Sequence, residues 1–155
     1  MWRTALVVAW VLVGAASLTA CGGGSSPRAV MGTQGLRVTP GLEAALLAAG
    51  AAAHHLPVRD YVGLAKGMTY YALDGPVYWA AAKLVPRRSS GAAQRSVQDD
   101  GAYDVFTMYV LHGWTVYDDG LGTVKRTRCA IVVPTEVRIT WHWSPYTPCG
   151  GPPGE

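Results

Sequence analysis

The dipeptide Asp74-Gly75 narrows the fold more than any other feature of this chain. It separates two runs rich in strand formers, residues 68–73 with Tyr70 and Tyr71, and residues 76–85 with Val77, Tyr78, Trp79 and Val85. Asp and Gly accept the positive φ that a tight hairpin turn demands, so the two runs are expected to pair antiparallel. Pro76 follows the turn directly, and a strand tolerates proline at its first position, where the missing N–H breaks no ladder. An isolated hairpin is marginal in water, so further strands are needed. Residues 93–98, 103–111 and 114–117 supply candidates, divided by Asp99-Asp100-Gly101 and His112-Gly113. They read as a meander of three strands.

The sheet needs a cover, and residues 40–54 are the best candidate. Thr39 can cap the helix, Pro40 suits its first position, and Glu43 falls in the first turn, where the helix dipole favours an acid. Leu42, Leu46, Ala49 and Ala53 form one stripe, and the other faces are also largely Ala or Leu. A helix that is apolar nearly all round is expected to be buried across a sheet. Pro57 ends it, and residues 58–64 read as a short helical turn or a connection. Near the end of the chain two periods compete. Val137, Ile139, Trp141 and Trp143 alternate with Arg138, Thr140 and His142, as in a strand, while Pro134-Thr135-Glu136 has the composition of a helix start. Both remain open. The expected fold is α+β, one apolar helix packed on an antiparallel sheet of about four to five strands.

The first residues carry a different message. Arg3 precedes an uncharged apolar run over residues 5–16, and small residues lead to Cys21. This is the layout of a secretory signal peptide. The run falls short of the roughly 20 apolar residues that span a bilayer comfortably. Leu18-Thr19-Ala20-Cys21 resembles the lipobox of bacterial lipoproteins. That resemblance implies cleavage before Cys21, a diacylglycerol on its sulfur, and residence at the outer face of the bacterial cytoplasmic membrane with membrane lipid as partner. Expected divisions are a signal peptide over 1–20, a flexible lipid-anchored tether over 21–35, a single domain over 36–149 and a disordered tail over 150–155. Export implies an oxidising compartment, so Cys129 and Cys149 are expected to form a disulfide.

Charge and motifs exclude more than they assign. Lys and Arg number 13 against 10 Asp and Glu, too small an excess to argue for nucleic acid. Basic residues gather at Lys83, Arg87 and Arg88 and at Lys125, Arg126 and Arg128, as solvated loops commonly do. The triplets Asp99-Asp100-Gly101 and Asp118-Asp119-Gly120 have the residues that turns need and lack EF-hand spacing. His54 and His55 point about 100° apart on a helix and cannot easily chelate one ion; they read as polar residues at a helix end, where the dipole favours a cation. No His-Glu-x-x-His, Gly-x-Ser-x-Gly or phosphate-cradling glycine loop occurs. No catalytic residue, metal ligand or cofactor is assigned.

The aromatic residues are the surplus that invites a function. Tyr70, Tyr78, Trp79, Tyr109, Trp114 and Tyr117 fall on expected strands. Alternation sends neighbours to opposite faces. One set is expected to meet the helix, while the other offers a binding face for an envelope protein or wall polymer. Asp60-Tyr61, Thr69-Tyr70-Tyr71-Ala72, Tyr78-Trp79-Ala80, Phe106-Thr107 and Trp114-Thr115-Val116-Tyr117-Asp118 resemble segments of small uncharacterised secreted actinobacterial proteins, which implies a single exported domain and no particular chemistry. The expected function is a non-catalytic interaction module at the cell envelope. The alternatives are a carrier of an apolar ligand between helix and sheet, or an envelope hydrolase with unidentified catalytic residues.

Overall fold

The computed structural model describes residues 32–99, 103–117 and 131–145. Its centre is a five-stranded antiparallel sheet in the order β1-β2-β3-β4-β5. The strands are β1 (Gln34–Gly35), β2 (Tyr61–Asp74), β3 (Val77–Pro86), β4 (Asp104–Tyr109) and β5 (Thr115–Tyr117). The helices are α1 (Pro40–Ala53), α2 (Gly91–Asp99) and α3 (Thr135–Thr140). The α+β class read from the sequence is the class observed.

The hairpin forms around Asp74-Gly75 as its turn chemistry dictates. Asp74 pairs with Val77, and Gly75 takes φ +56°. Lower down, β2 advances from Leu64 to Thr69 while β3 advances only from Leu84 to Ala82. The surplus residues make an irregular bulge in which Gly67 adopts φ +74°. The expected connection over 58–64 divides in two: Val58–Asp60 is a short 3₁₀ turn, and β2 begins at Tyr61.

Helix α1 starts where its capping residues place it. The Thr39 hydroxyl accepts the Leu42 N–H at 3.2 Å, and Pro40 occupies the first turn. It ends in a Schellman turn. His55 N–H donates to the Ala52 carbonyl, Leu56 N–H donates to the Ala51 carbonyl, and His55 has φ +55°. The buried side of α1 (Leu46, Gly50 and Ala51) packs with Ala80, Ala82, Leu84 and Phe106 of the sheet. The approach is close because both surfaces are small. A Cβ built on Gly50 would lie 2.8 Å from Asp104 Oδ2 and 2.9 Å from Leu84 Cδ2.

Three expectations are corrected. Residues 93–98 are not a strand but the body of α2. The Ser90 hydroxyl accepts the Ala93 N–H at 3.3 Å, and Gln94 N–H donates to the Ser90 carbonyl. Ala93 and Val97, one turn apart, pack with the α1 side of the core. Residues 34–35, assigned to the tether, are taken into the sheet as β1, where Gln34 faces Leu73 and Gly35 faces Ala72. Finally, α1 is not the only cover, because α3 closes the opposite face.

That second cover resolves the ambiguity at the C-terminal segment. Val137 in α3 and Trp141 at its C-terminal cap, four residues apart, lie on one side and are both buried, while Ile139 is exposed. A second Schellman turn follows: His142 N–H donates to the Ile139 carbonyl, Trp143 N–H donates to the Arg138 carbonyl, and His142 has φ +60°. The reversal brings Trp143 back against Trp141, with ring centroids 4.9 Å apart. The alternation that imitates a strand therefore comes from a helix and its terminating turn. Trp141 and Trp143 join Val133, Val137, Tyr103, Val105, Ala72, Trp79 and Ala81 in the core beneath α3.

Candidate functional site

The six aromatic residues that are candidates for a binding face are divided between the two sides of the sheet. Register places Tyr70, Trp79, Tyr109 and Tyr117 on the α3 side, because Tyr70 faces Ala81, Ala81 faces Val105 and Val105 faces Tyr117, while Trp79 faces Thr107. Tyr70 is packed among Tyr103, Trp141 and Trp143 at 5.2 to 6.1 Å, and Trp79 is buried. These two belong to the core under α3, and Tyr117 is partly buried against it. This face looks open in the sequence because nothing local reveals that the C-terminal segment folds over it.

Tyr78 and Trp114 lie on the α1 side. Tyr71 stacks on Tyr78 at 5.9 Å and meets the Trp114 edge at 6.2 Å. Burial, and secondarily the neighbouring Tyr78, raise the pKa of the Tyr71 phenol above its ordinary value. Of the six, only Tyr109 is strongly exposed, at 56%.

Tyr109 ends β4 and leads into a different feature, the loop joining β4 to β5. The expected strand extends to residue 111, but β4 stops at Tyr109 and the chain turns at once. His112 N–H donates to the Tyr109 carbonyl at 3.0 Å, closing a tight turn whose middle residues are Val110 and Leu111. Leu111 takes φ +71°, a region where glycine or asparagine is usual. Its side chain is 99% exposed, and Val110 is 59% exposed. Three successive apolar residues thus face solvent at a loop tip. Behind them, Pro76, Tyr109, Val110, His112, Gly113 and Thr115 line an open hollow of about 460 Å³. The available signal was an apolar run that extends up to a turn with no polar residue to end it.

A second constellation lies between α1, α2 and β4. Ser96 Oγ is 2.7 Å from His54 Nδ1, and His54 Nε2 is 3.3 Å from Asp104 Oδ2. An ionised Asp104 can only accept, so Nε2 donates to it, and Nδ1 accepts from the Ser96 hydroxyl when the ring is neutral and donates to it when the ring is protonated. The His54 and Asp104 side chains are 3% and 8% exposed. The Tyr61 ring flanks His54 with centroids 6.4 Å apart. His54 sits one turn beyond Gly50, so the close approach of α1 that brings Gly50 against Asp104 also aims His54 at it. The sequence places His54 at the helix end correctly. The separations of 42 and 50 residues to Ser96 and Asp104 gave no signal that the fold would assemble the three.

Cys21, Cys129, Cys149 and the triplet Asp118-Asp119-Gly120 lie outside the described residues, as do Asp100 and Gly101. Among the described residues, no group of three His, Cys, Asp or Glu side chains gathers to hold a metal ion. Comparisons with protein-family models, with curated proteins and with solved structures give no match to this chain.

Proposed function

We propose that the chain is a lipid-anchored extracytoplasmic protein of the bacterial envelope, and that its domain is a non-catalytic interaction module working through the β4–β5 end of the sheet. The anchoring part rests on Leu18-Thr19-Ala20-Cys21 and the apolar leader before it. The observation that carries the interaction part is the loop tip, where Tyr109, Val110 and Leu111 are held exposed beside an open hollow. Isolated exposed apolar side chains are ordinary, but three in succession with one in a disfavoured backbone conformation call for a partner. The anchor itself is tested by Cys21→Ala. Wild-type protein should take up radiolabelled palmitate and sediment with membranes, and the variant should lose the label. A variant that keeps the label sinks the anchoring reading.

The carrier alternative has less support, because α1 and the sheet are closed against each other at Gly50. A second reading, an envelope hydrolase, is favoured by the Ser96–His54–Asp104 chain. In it Ser96 Oγ would attack an ester carbonyl while His54 accepts its proton and passes it to the departing alcohol, Asp104 supports the imidazolium, and water would then release the acyl group from Ser96. Deep burial of His54 and Asp104 fits equally a polar clasp that fixes α1 and α2 to the sheet. Incubating the full chain with a fluorophosphonate probe separates the two. Labelling lost in Ser96→Ala supports the hydrolase, and an unlabelled wild-type chain leaves the clasp.

A further inference from the structure

The strand directions fix which end of the domain the N-terminal segment comes from. Strand β1 runs antiparallel to β2, with Gln34 opposite Leu73 and Gly35 opposite Ala72, so the chain before Gln34 leaves at the Asp74 end of the sheet. Thr33 confirms the direction locally, its hydroxyl donating to Asp74 Oδ1 at 2.7 Å. Asp74 pairs with Val77, and Val77 pairs with Tyr109. The point where the N-terminal segment joins the domain and the exposed tip of Tyr109, Val110 and Leu111 therefore share one end of the sheet. They are separated across it by the strands from β1 to β4, about 15 Å at the usual strand spacing. Arg87 and Arg88 follow β3 at the opposite end.

From this geometry we infer that the β4–β5 tip inserts its apolar side chains into the lipid surface to which Cys21 is anchored. The inference rests on the anchoring reading above and names the partner of the same loop. Between Cys21 and Gln34 lie roughly a dozen residues, which even fully extended span only about 45 Å. The sheet end where they join can thus lie no farther than about 45 Å from the anchored sulfur, and the tip projects from that end. Leu111, 99% exposed, is the most exposed large apolar side chain among the described residues. Moving one leucine side chain from water to hydrocarbon favours the inserted state by an order of magnitude or more. Acyl chains on Cys21 and a wedged loop would together hold the domain at two points, giving it one orientation on the membrane rather than a swinging tether.

The test uses the full chain, expressed in a bacterium that acylates lipoproteins, with a photoreactive benzophenone side chain at position 111. Parallel chains carry it at position 110, and at position 89 in the exposed loop at the far end. After irradiation, phospholipid adducts are counted by mass spectrometry, while palmitate labelling and sedimentation report the anchor. The expected result is at least about tenfold more lipid adduct at 110 and 111 than at 89, in a labelled, membrane-bound chain. If the chain is labelled and membrane-bound but position 111 captures no more lipid than position 89, or captures a protein or a second copy of itself, the tip proposal fails and the anchoring reading stands. A chain that is neither labelled nor sedimented overturns both.

Discussion

Gly50→Ala should destabilise this protein, although the same substitution in a helix exposed to water would stabilise it. In a helix interior, alanine is favoured over glycine by roughly 0.5–1 kcal/mol through backbone entropy. At position 50 the new methyl meets Asp104 Oδ2 at 2.8 Å and the two Leu84 methyls at 2.9 and 3.1 Å. Neither neighbour can yield easily, since Leu84 and Asp104 are buried and Asp104 is engaged with His54. Overpacking of this kind typically costs about 1–3 kcal/mol. Two contacts under 3.0 Å place the cost toward the upper end, so a net loss of about 1–2 kcal/mol is expected. Urea denaturation of the full chain, followed by far-UV circular dichroism, gives the difference. Asp104→Ala identifies the cause, because it removes one of the atoms in the way. In that background the Gly50→Ala penalty should fall by about 1 kcal/mol, a coupling well above the scatter of independent sites. Stabilisation by Gly50→Ala, or simple additivity of the two changes, would refute the close seating of α1 on β4.

Two further predictions concern the ends of α1 and the aromatic stack. His55→Gly should stabilise the fold by about 1 kcal/mol, because φ +55° is strained for a residue with a Cβ and natural for glycine, and thermal or urea unfolding would register the gain. Stability should fall as pH rises through about 10. Folded Tyr71 keeps its phenolic proton to a higher pH than the unfolded chain does, so above the ordinary value the unfolded state binds fewer protons and is favoured, whereas below it the contribution is complete. Tyr71→Phe should flatten that alkaline slope in urea midpoints, and an unchanged slope would assign it to other groups.

Much of the local structure was legible because its causes are local. Thr39 and Pro40 start α1, and Asp74-Gly75 turns the hairpin, each through backbone chemistry within a few residues. In two segments the local signals conflict. Residues 93–98 hold one strand former, Val97, and the Ser90 cap that makes them helical lies in a segment with the composition of a loop. Val137, Ile139, Trp141 and Trp143 alternate in sequence because a single helical turn and a Schellman reversal happen to mimic a period of two.

By itself the sequence determined the α+β class, the hairpin at the centre of the sheet and the limits of α1. Tertiary structure alone decided which aromatic residues remain accessible. Tyr70 and Trp79 are core because α3, which begins some 55 residues beyond Trp79, lies over them, while Tyr109 escapes because β4 ends beneath it. It also decided that Ser96, His54 and Asp104 meet, and that the N-terminal segment leaves the sheet at the end where Leu111 projects. The physical reason is common to these cases. Period, capping and turn propensity act over a few residues, whereas burial, contact across a sheet and strand direction depend on partners that folding brings from far along the chain.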